Sequence, residues 1–269
     1  MAAVGDKLGG RYFVTKVGAK LAPGGFVEVR DAQSNVMHAQ LLTADKLAPG
    51  DLSALAREVA SVPHAPSLLL PDEITQSSSG ETFAVYGRAP SSSITEDLAR
   101  FMAAGSRDQR LATQRAFLNA FAVVSEEYGR AVGARSAHGL ISATHLGTKG
   151  RDGDLRLELH GFGIDAAARL VGKKERPAPR VDAAALFLTL HELLTRTQSL
   201  PEGAALVKWN ILYNCARGGD HPALQSAVVL GRFLRDMLVE IEQIARSPAR
   251  PDATPEPASR RGESASQVP

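Results

Sequence analysis

The sequence predicts an α+β chain in two unequal parts, a strand-rich first third and a helical remainder. Three observations support this. Residues 11–42 alternate apolar and polar side chains in short runs separated by turn residues, the period of half-buried strands. Beyond Ser93 apolar residues recur at three- and four-residue steps, the period of a helix with one buried face. The 269 residues suffice for one large domain or two small lobes around a shared cleft.

In the first part, RYFVTKV alternates Tyr12, Val14 and, less cleanly, Val17. Pro23-Gly24-Gly25 marks a turn, FVEVR resumes with Phe26, Val27 and Val29, and Asn35 turns the chain before VMHAQLL. Asp51 is the expected N-cap of a helix DLSALAREVASV, with Leu52, Leu55, Ala56 and Val59 on one stripe and Pro63 and Pro66 ending it. SLLLPDEI and ETFAVYGRA read as two further strands around the turn QSSSG.

In the second part, Ser93 with Glu96 and Ser106 with Gln109 have the spacing of capping boxes. The second opens a helix to about Gly133 whose stripe is Phe117, Phe121, Val124, Tyr128 and Val132. LRLEL alternates Leu155, Leu157 and Leu159 as a short strand after a turn over Lys149 to Gly153. VDAAALFLTLHELLTR is apolar nearly all round and reads as a buried helix. Two helices near 203–216 and 222–246 close the chain. Trp209 and Leu212 face inward, Pro222 lies in the first turn of the last helix, and Leu224, Val228, Leu234, Leu238 and Ile241 form its buried face. Residues 247–269 are rich in Pro, Ser and charge and read as a disordered tail.

With 44% hydrophobic and 22% charged residues the composition is that of an ordinary globular protein. A net charge of +2 with scattered basic residues argues against nucleic acid and anionic membrane as partners, and 5% aromatic residues argue against a base-stacking surface. The single cysteine, Cys215, excludes an internal disulfide and a Cys-rich zinc site, and reads as a small buried hydrophobe in a reducing compartment. MAAVGDKLGG lacks the apolar core of a signal peptide, and no apolar run approaches the roughly 18 residues of a membrane span, so the cytoplasm is the expected location.

The stretch from Ala137 to Asp165, AHGLISATHLGTKGRDGDLRLELHGFGID, is the most telling part of the chain. It resembles the catalytic-loop-to-DFG segment of bacterial eukaryotic-type (Hanks-type) Ser/Thr protein kinases, in which HRDLKPxN leads through two short strands to DFG. On this resemblance His138 is the loop histidine, and Phe162 and Gly163 end the DFG. The catalytic Asp position is Leu140, the Asn position His145 and the DFG Asp position Gly161. In the family those three positions carry the base and the Mg²⁺ ligands. The resemblance spans about residues 10–246 and implies a bilobal fold, with an N-lobe over 10–88, a hinge around Gly87–Pro90 and a C-lobe over 89–246. Of the family's three spaced glycines only Gly24 remains, with Ala22 and Val27 at the others and Gly25 between them; a plain hairpin turn is the competing reading. The third-strand lysine is Gln40, and Lys46, six residues on, is a remote substitute. Glu58 falls near the glutamate that pairs with that lysine; it either hydrogen-bonds Gln40 or faces solvent. Asp182 matches the residue that holds the catalytic loop's backbone, and HELLT resembles the YELLTG of bacterial members. Only Ile164 to Arg180 separate GFG from that helix, far fewer residues than the family's activation segment, with no APE triplet.

The resemblance therefore implies a degenerate member. Its catalytic positions are lost, ATP and Mg²⁺ binding is weak or absent with no cofactor, and the vestigial cleft holds Gly24, Gly25, Gln40 and Glu58. His138, Phe162, Gly163 and Asp182 are read as structural. The expected function is a pseudokinase that binds a protein partner as a scaffold or allosteric regulator in a bacterial cytoplasmic pathway. An alternative is a nucleotide-using transferase whose metal would be held by Asp165, Asp152 or Asp154. His138, His145 and His160 form a candidate imidazole trio for Zn²⁺, against the reading of core and cleft-filling histidines.

Overall fold

The computed structural model describes residues 2–18, 21–102, 105–133, 138–139, 141–150, 154–172, 175 and 177–246. Leu140, Asp152 and the expected tail over 247–269 lie outside the described residues.

Six strands build one antiparallel sheet. They are β1 (Lys7–Leu8), β2 (Tyr12–Val17), β3 (Phe26–Arg30), β4 (Val36–Thr43), β5 (Glu73–Gln76) and β6 (Thr82–Tyr86), in the order β1-β2-β3-β4-β6-β5. The periodicity of RYFVTKV, FVEVR and VMHAQLL is that of β2, β3 and β4. β1 was not legible in the sequence. Gly9 and Gly10, both at positive φ, turn the chain tightly enough for Leu8 to pair with Tyr12. The strand expected over SLLLPDEI begins only at Glu73. Its earlier residues instead meet the second lobe, where the Leu69 N–H donates to the Leu159 carbonyl at 2.9 Å.

Between β4 and β5 lies α1 (Pro49–Ala60). Its N-cap is Ala48 with Pro49 in the first turn, and Asp51 lies inside that turn, where its charge suits the helix dipole rather than capping it. Leu55 and Val59 are buried on the inner face.

The second lobe is helical. α2 (Ile94–Asp97) and α3 (Ala99–Met102) are single turns, and Ser93 caps α2 through the Thr95 N–H alone, without a reciprocal bond from Glu96. α4 (Arg107–Val132) opens with a complete capping box between Ser106 and Gln109, and its five-residue stripe is buried. The hairpin β7 (Leu146–Lys149) and β8 (Arg156–Leu159) follows. Then come α5 (Ile164–Gly172), α6 (Pro179–Arg196), α7 (Gly203–Ala216) and α8 (Ala227–Arg246). α5 occupies the short stretch after GFG, which the sequence reading left without an element. α6 buries Leu186, Phe187, Leu190 and Leu194, but Val181 is 41% exposed and Leu188 half-buried, so one flank faces solvent. Pro222 lies in a separate 3-10 turn over Pro222–Leu224 ahead of α8, and Cys215 is half-buried.

α4 and α8 run side by side because glycine lets them touch. A Cβ on Gly129 would stand 2.5 Å from the Val228 nitrogen, and one on Gly231 2.8 Å from the Ala122 carbonyl. Trp209 and Leu212 on α7 are buried beneath α6. Among the described residues no helix is long and apolar enough to cross a membrane.

Candidate functional site

The loop after α4 is held from below by one carboxylate. Asp182, buried at the start of α6, accepts the His138 N–H at 2.8 Å, the Gly139 N–H at 2.7 Å and the Tyr128 hydroxyl at 2.5 Å. Tyr128 itself accepts from the His138 N–H at 2.7 Å. Burial raises the Asp182 carboxyl above its ordinary range, against the hydrogen bonds that lower it. The net is a rigid seat for residues 138–139.

Above that seat stand three imidazoles. The His138 Nε2 lies 2.9 Å from the His160 carbonyl, an acceptor only, so Nε2 carries the proton. The His145 Nδ1 is 3.0 Å from the Ser142 hydroxyl. Ring centroids are 5.3 Å apart for His138 and His145 and 6.1 Å for His145 and His160. Burial pushes all three down to about 4, and the rings oppose one another's protonation. Convergence does not make a metal cage here, since the His138 Nε2 faces a carbonyl. Among the described residues no three His, Cys, Asp or Glu side chains are placed to hold a metal ion.

Gly161 sits directly against this trio at φ 92°. A Cβ there would meet the His145 ring at 2.7 Å and the His138 Nε2 at 3.4 Å. The large ring at the Asn position thus occupies the space that a side chain at the DFG Asp position would need. Neither residue offers an oxygen ligand to Mg²⁺. Phe162 packs inward on His138 and Tyr128, with centroids 5.2 and 6.2 Å away.

The roof of the cleft is drawn down. The Gln40 side chain, fully buried, donates to the Gly24 carbonyl at 3.0 Å and accepts from the Tyr86 hydroxyl at 3.1 Å. The Gly24 N–H donates to the Leu41 carbonyl at 2.8 Å, so the glycine turn pairs with β4 instead of arching away from it. Phe26 stands 5.9 Å from Tyr86 and 5.7 Å from His160, ring to ring. Ile164, buried just past GFG, reaches to 3.8 Å of a Cβ placed on Gly24. Side chains from both lobes fill the space between turn and GFG.

At the edge of the cleft Arg169 on α5 donates to Glu58 on α1 at 3.1 Å and to Asp165 at 2.8 Å. The Asp165 carboxylate in turn lies where a Gly139 side chain would be, 2.3 Å from its Cβ position. Behind the cleft the fully buried Glu158 on β8 is held by Arg88, Lys149 and Ser91. Burial alone would raise its carboxyl, but hydrogen bonds from Arg88, Lys149 and Ser91 outweigh that and bring it down to about 2.

No protein-family model matches the chain, and no curated protein matches it. Solved structures do. The kinase domain of PknI from Mycobacterium tuberculosis is 18% identical, with 90% of this chain and 99% of that chain covered at a TM-score of 0.55. A double mutant of the same domain gives 17% identity, 88% and 99% coverage and a TM-score of 0.58. The kinase domain of maize SIRK1, a sucrose-induced receptor kinase bound to AMP-PNP, gives 13% identity, 86% and 93% coverage and a TM-score of 0.50. The fold is that of a protein kinase.

Within the kinase fold some of the residues singled out from the sequence come together and others do not. His138, His145, Gly161, Phe162 and Asp182 cluster around one loop, and Gly24 and Gln40 form the roof above them. Glu58 is apart from Gln40 and is neither its hydrogen-bond partner nor free in solvent; Arg169 holds it. Lys46 lies along Gly80 in the β5–β6 turn, away from the cleft, and Asp154 pairs with Arg156 at 3.1 Å in the β7–β8 hairpin. Gly163 packs its backbone on Leu42 and Val59, joining GFG to the first lobe. The sequence reading missed Arg169, Tyr86, Ile164 and Glu158. Arg169 had a usable signal, because IDAAARLVG has helical spacing that places Asp165 and Arg169 one turn apart.

Proposed function

We infer that this chain is a catalytically inactive member of the kinase-like proteins that works in the bacterial cytoplasm by binding another protein, as a scaffold or allosteric regulator. One observation carries the reading: Gln40 ties the Gly24 carbonyl to the Tyr86 hydroxyl inside a cleft already filled by Phe26, His160 and Ile164. These side chains stand where adenine and phosphates would have to enter, which supports weak or absent nucleotide binding. At the motif positions stand Gln40, His145 and Gly161, none of them a lysine or a carboxylate, and the nearby Glu58 and Asp165 carboxylates are both held by Arg169. Removing a metal clamp or base from phosphoryl transfer costs orders of magnitude in rate. The binding half of the reading is supported by the short α5, which stands in place of a peptide-substrate platform. It is supported too by α7, where Val207 and Ile211 are 61% and 51% exposed on one face.

Among the described residues the carboxylates of the transferase alternative are engaged elsewhere, Asp165 by Arg169 and Asp154 by Arg156. The test is thermal unfolding with ATP, with and without Mg²⁺, run beside a phosphate-transfer assay. The reading expects no Mg²⁺-dependent rise in Tm and no transfer. Ligand at about 100 times its Kd stabilises by roughly 2.7 kcal/mol, so a clear Mg²⁺-dependent rise would sink it.

A further inference from the structure

We propose that the base of the helical lobe carries a second binding site, for a small organic oxyanion with a short apolar body. A cavity of about 40 Å³ opens between the start of α4, residues 198–202 after α6, and α8. Its apolar wall is Leu111, Leu200 and Ile241. Its polar side is Gln114, Arg107, Arg110, Gln198, Ser199 and the carboxylate of Glu202.

Gln114 decides the chemistry. The residue is only 3% exposed and lines the cavity, yet its amide makes no hydrogen bond among the described residues. The Gln114 amide is not among the buried polar atoms sealed without a partner, so it offers the cavity a hydrogen-bonding group that no described protein group uses. Arg110, half-buried beside it, has no carboxylate partner among the described residues. Arg107 is paired only at 3.6 Å with Glu202, and both are largely exposed. The rim therefore sets two guanidinium groups against one carboxylate, a surplus of positive charge next to an unused amide.

A carboxylate or phosphate answers both. It accepts from the guanidinium fork in two parallel bonds and from the amide N–H in a third. The interior holds on the order of three waters at about 10–15 Å³ each, which suits an oxyanion head. The head alone fills the interior, so a ring or short chain attached to it lies along Leu111, Leu200 and Ile241 toward the mouth of the cavity. A nucleotide is too large. None of these residues belongs to the cleft, so the site stands whether or not the cleft binds ATP.

Calorimetric titration of the full chain with benzoate, phenyl phosphate, inorganic phosphate and neutral benzamide tests this. Benzoate or phenyl phosphate binds at a Kd of about 1 mM or tighter, and the two distinguish a carboxylate from a phosphate source. Benzamide binds at least about tenfold more weakly, and Arg110→Ala weakens the anions by a similar factor. Gln114→Leu also weakens binding, because the amide donor is lost. Absence of binding by both organic anions at about 10 mM overturns the site. So does binding that Arg110→Ala leaves unchanged, and benzamide binding as tightly as benzoate overturns the oxyanion assignment. Inorganic phosphate binding as tightly as phenyl phosphate overturns the apolar body.

Discussion

Two nodes on either side of one loop have fared differently. Below residues 138–139 Asp182 gathers two backbone amides and a tyrosine hydroxyl, all within 2.8 Å, and every donor is matched. Above them Gly161, His138, His145 and His160 crowd together, and the Nδ1 atoms of His138 and His160 are buried without a partner among the described residues. The lower node is held by charge and geometry; the upper one is held by packing. A fold needs the first kind of node to keep its loop in place. The second kind fills volume and leaves ring nitrogens without a partner among the described residues.

Acid should separate the two nodes most strongly. The three imidazoles have folded pKa values of about 4, below the ordinary 6.5 of an unfolded histidine. The unfolded chain therefore binds more protons between those values, and stability is lost as pH falls from 6.5 to 4. Each ring contributes up to about 1.4 kcal/mol per pH unit in that window. Asp182 has the opposite sign: its carboxyl is raised, so its contribution grows as pH falls toward the unfolded value of 3.8. Glu158, depressed to about 2, loses its contribution only below 4.5. Urea midpoints measured from pH 7 to pH 4 should thus fall steeply, and His160→Leu should flatten the slope. A flat profile in the parent protein would show that the imidazoles are not buried as a neutral cluster.

Asp182→Ala comes next in size. It leaves the Tyr128 hydroxyl and the Gly139 N–H unmatched, while the His138 N–H keeps Tyr128 as acceptor, and should cost about 3–5 kcal/mol in urea unfolding; Asp182→Asn keeps one accepting oxygen and should cost less. Equal losses in the two variants would mean that one accepting oxygen is not enough and that both oxygens of the carboxylate are needed to hold the loop.

Gly161→Asp is the smallest of the three. The Cβ clash with His145 and the positive φ should cost about 2–4 kcal/mol. Pairing it with His145→Asn, which opens the space, should recover part of that loss without producing Mg²⁺-dependent ATP binding, since Gln40 and Ile164 still fill the roof. Full additivity of the two substitutions would deny that these positions share one volume.

Much of the fold was legible because its signals are local. Strand alternation, the Ser106–Gln109 box and the α4 stripe are properties of neighbouring residues. The order of HG, GFG and the Asp-led helix was readable as a pattern. Two errors show the limit. Alternation in LRLEL turns Leu155, Leu157 and Leu159 inward and so predicts Glu158 facing solvent; it is fully buried, because Arg88 and Ser91 of the linker fold over that face. Asp51 has the right residue type for an N-cap, but Pro49 starts the helix earlier.

The side-chain types in this chain settle that no lysine, aspartate or asparagine stands at the motif positions described, since composition at a position needs no folding to be read. What took their place was decided by contacts between distant residues. Gln40 meets Tyr86 from 46 positions away, and Arg169 meets Glu58 from 111. Local propensity carries no information about partners at such separations; the pairing of β4 with β6 brings the first two within reach, and the packing of α5 on α1 across the lobes brings the second two.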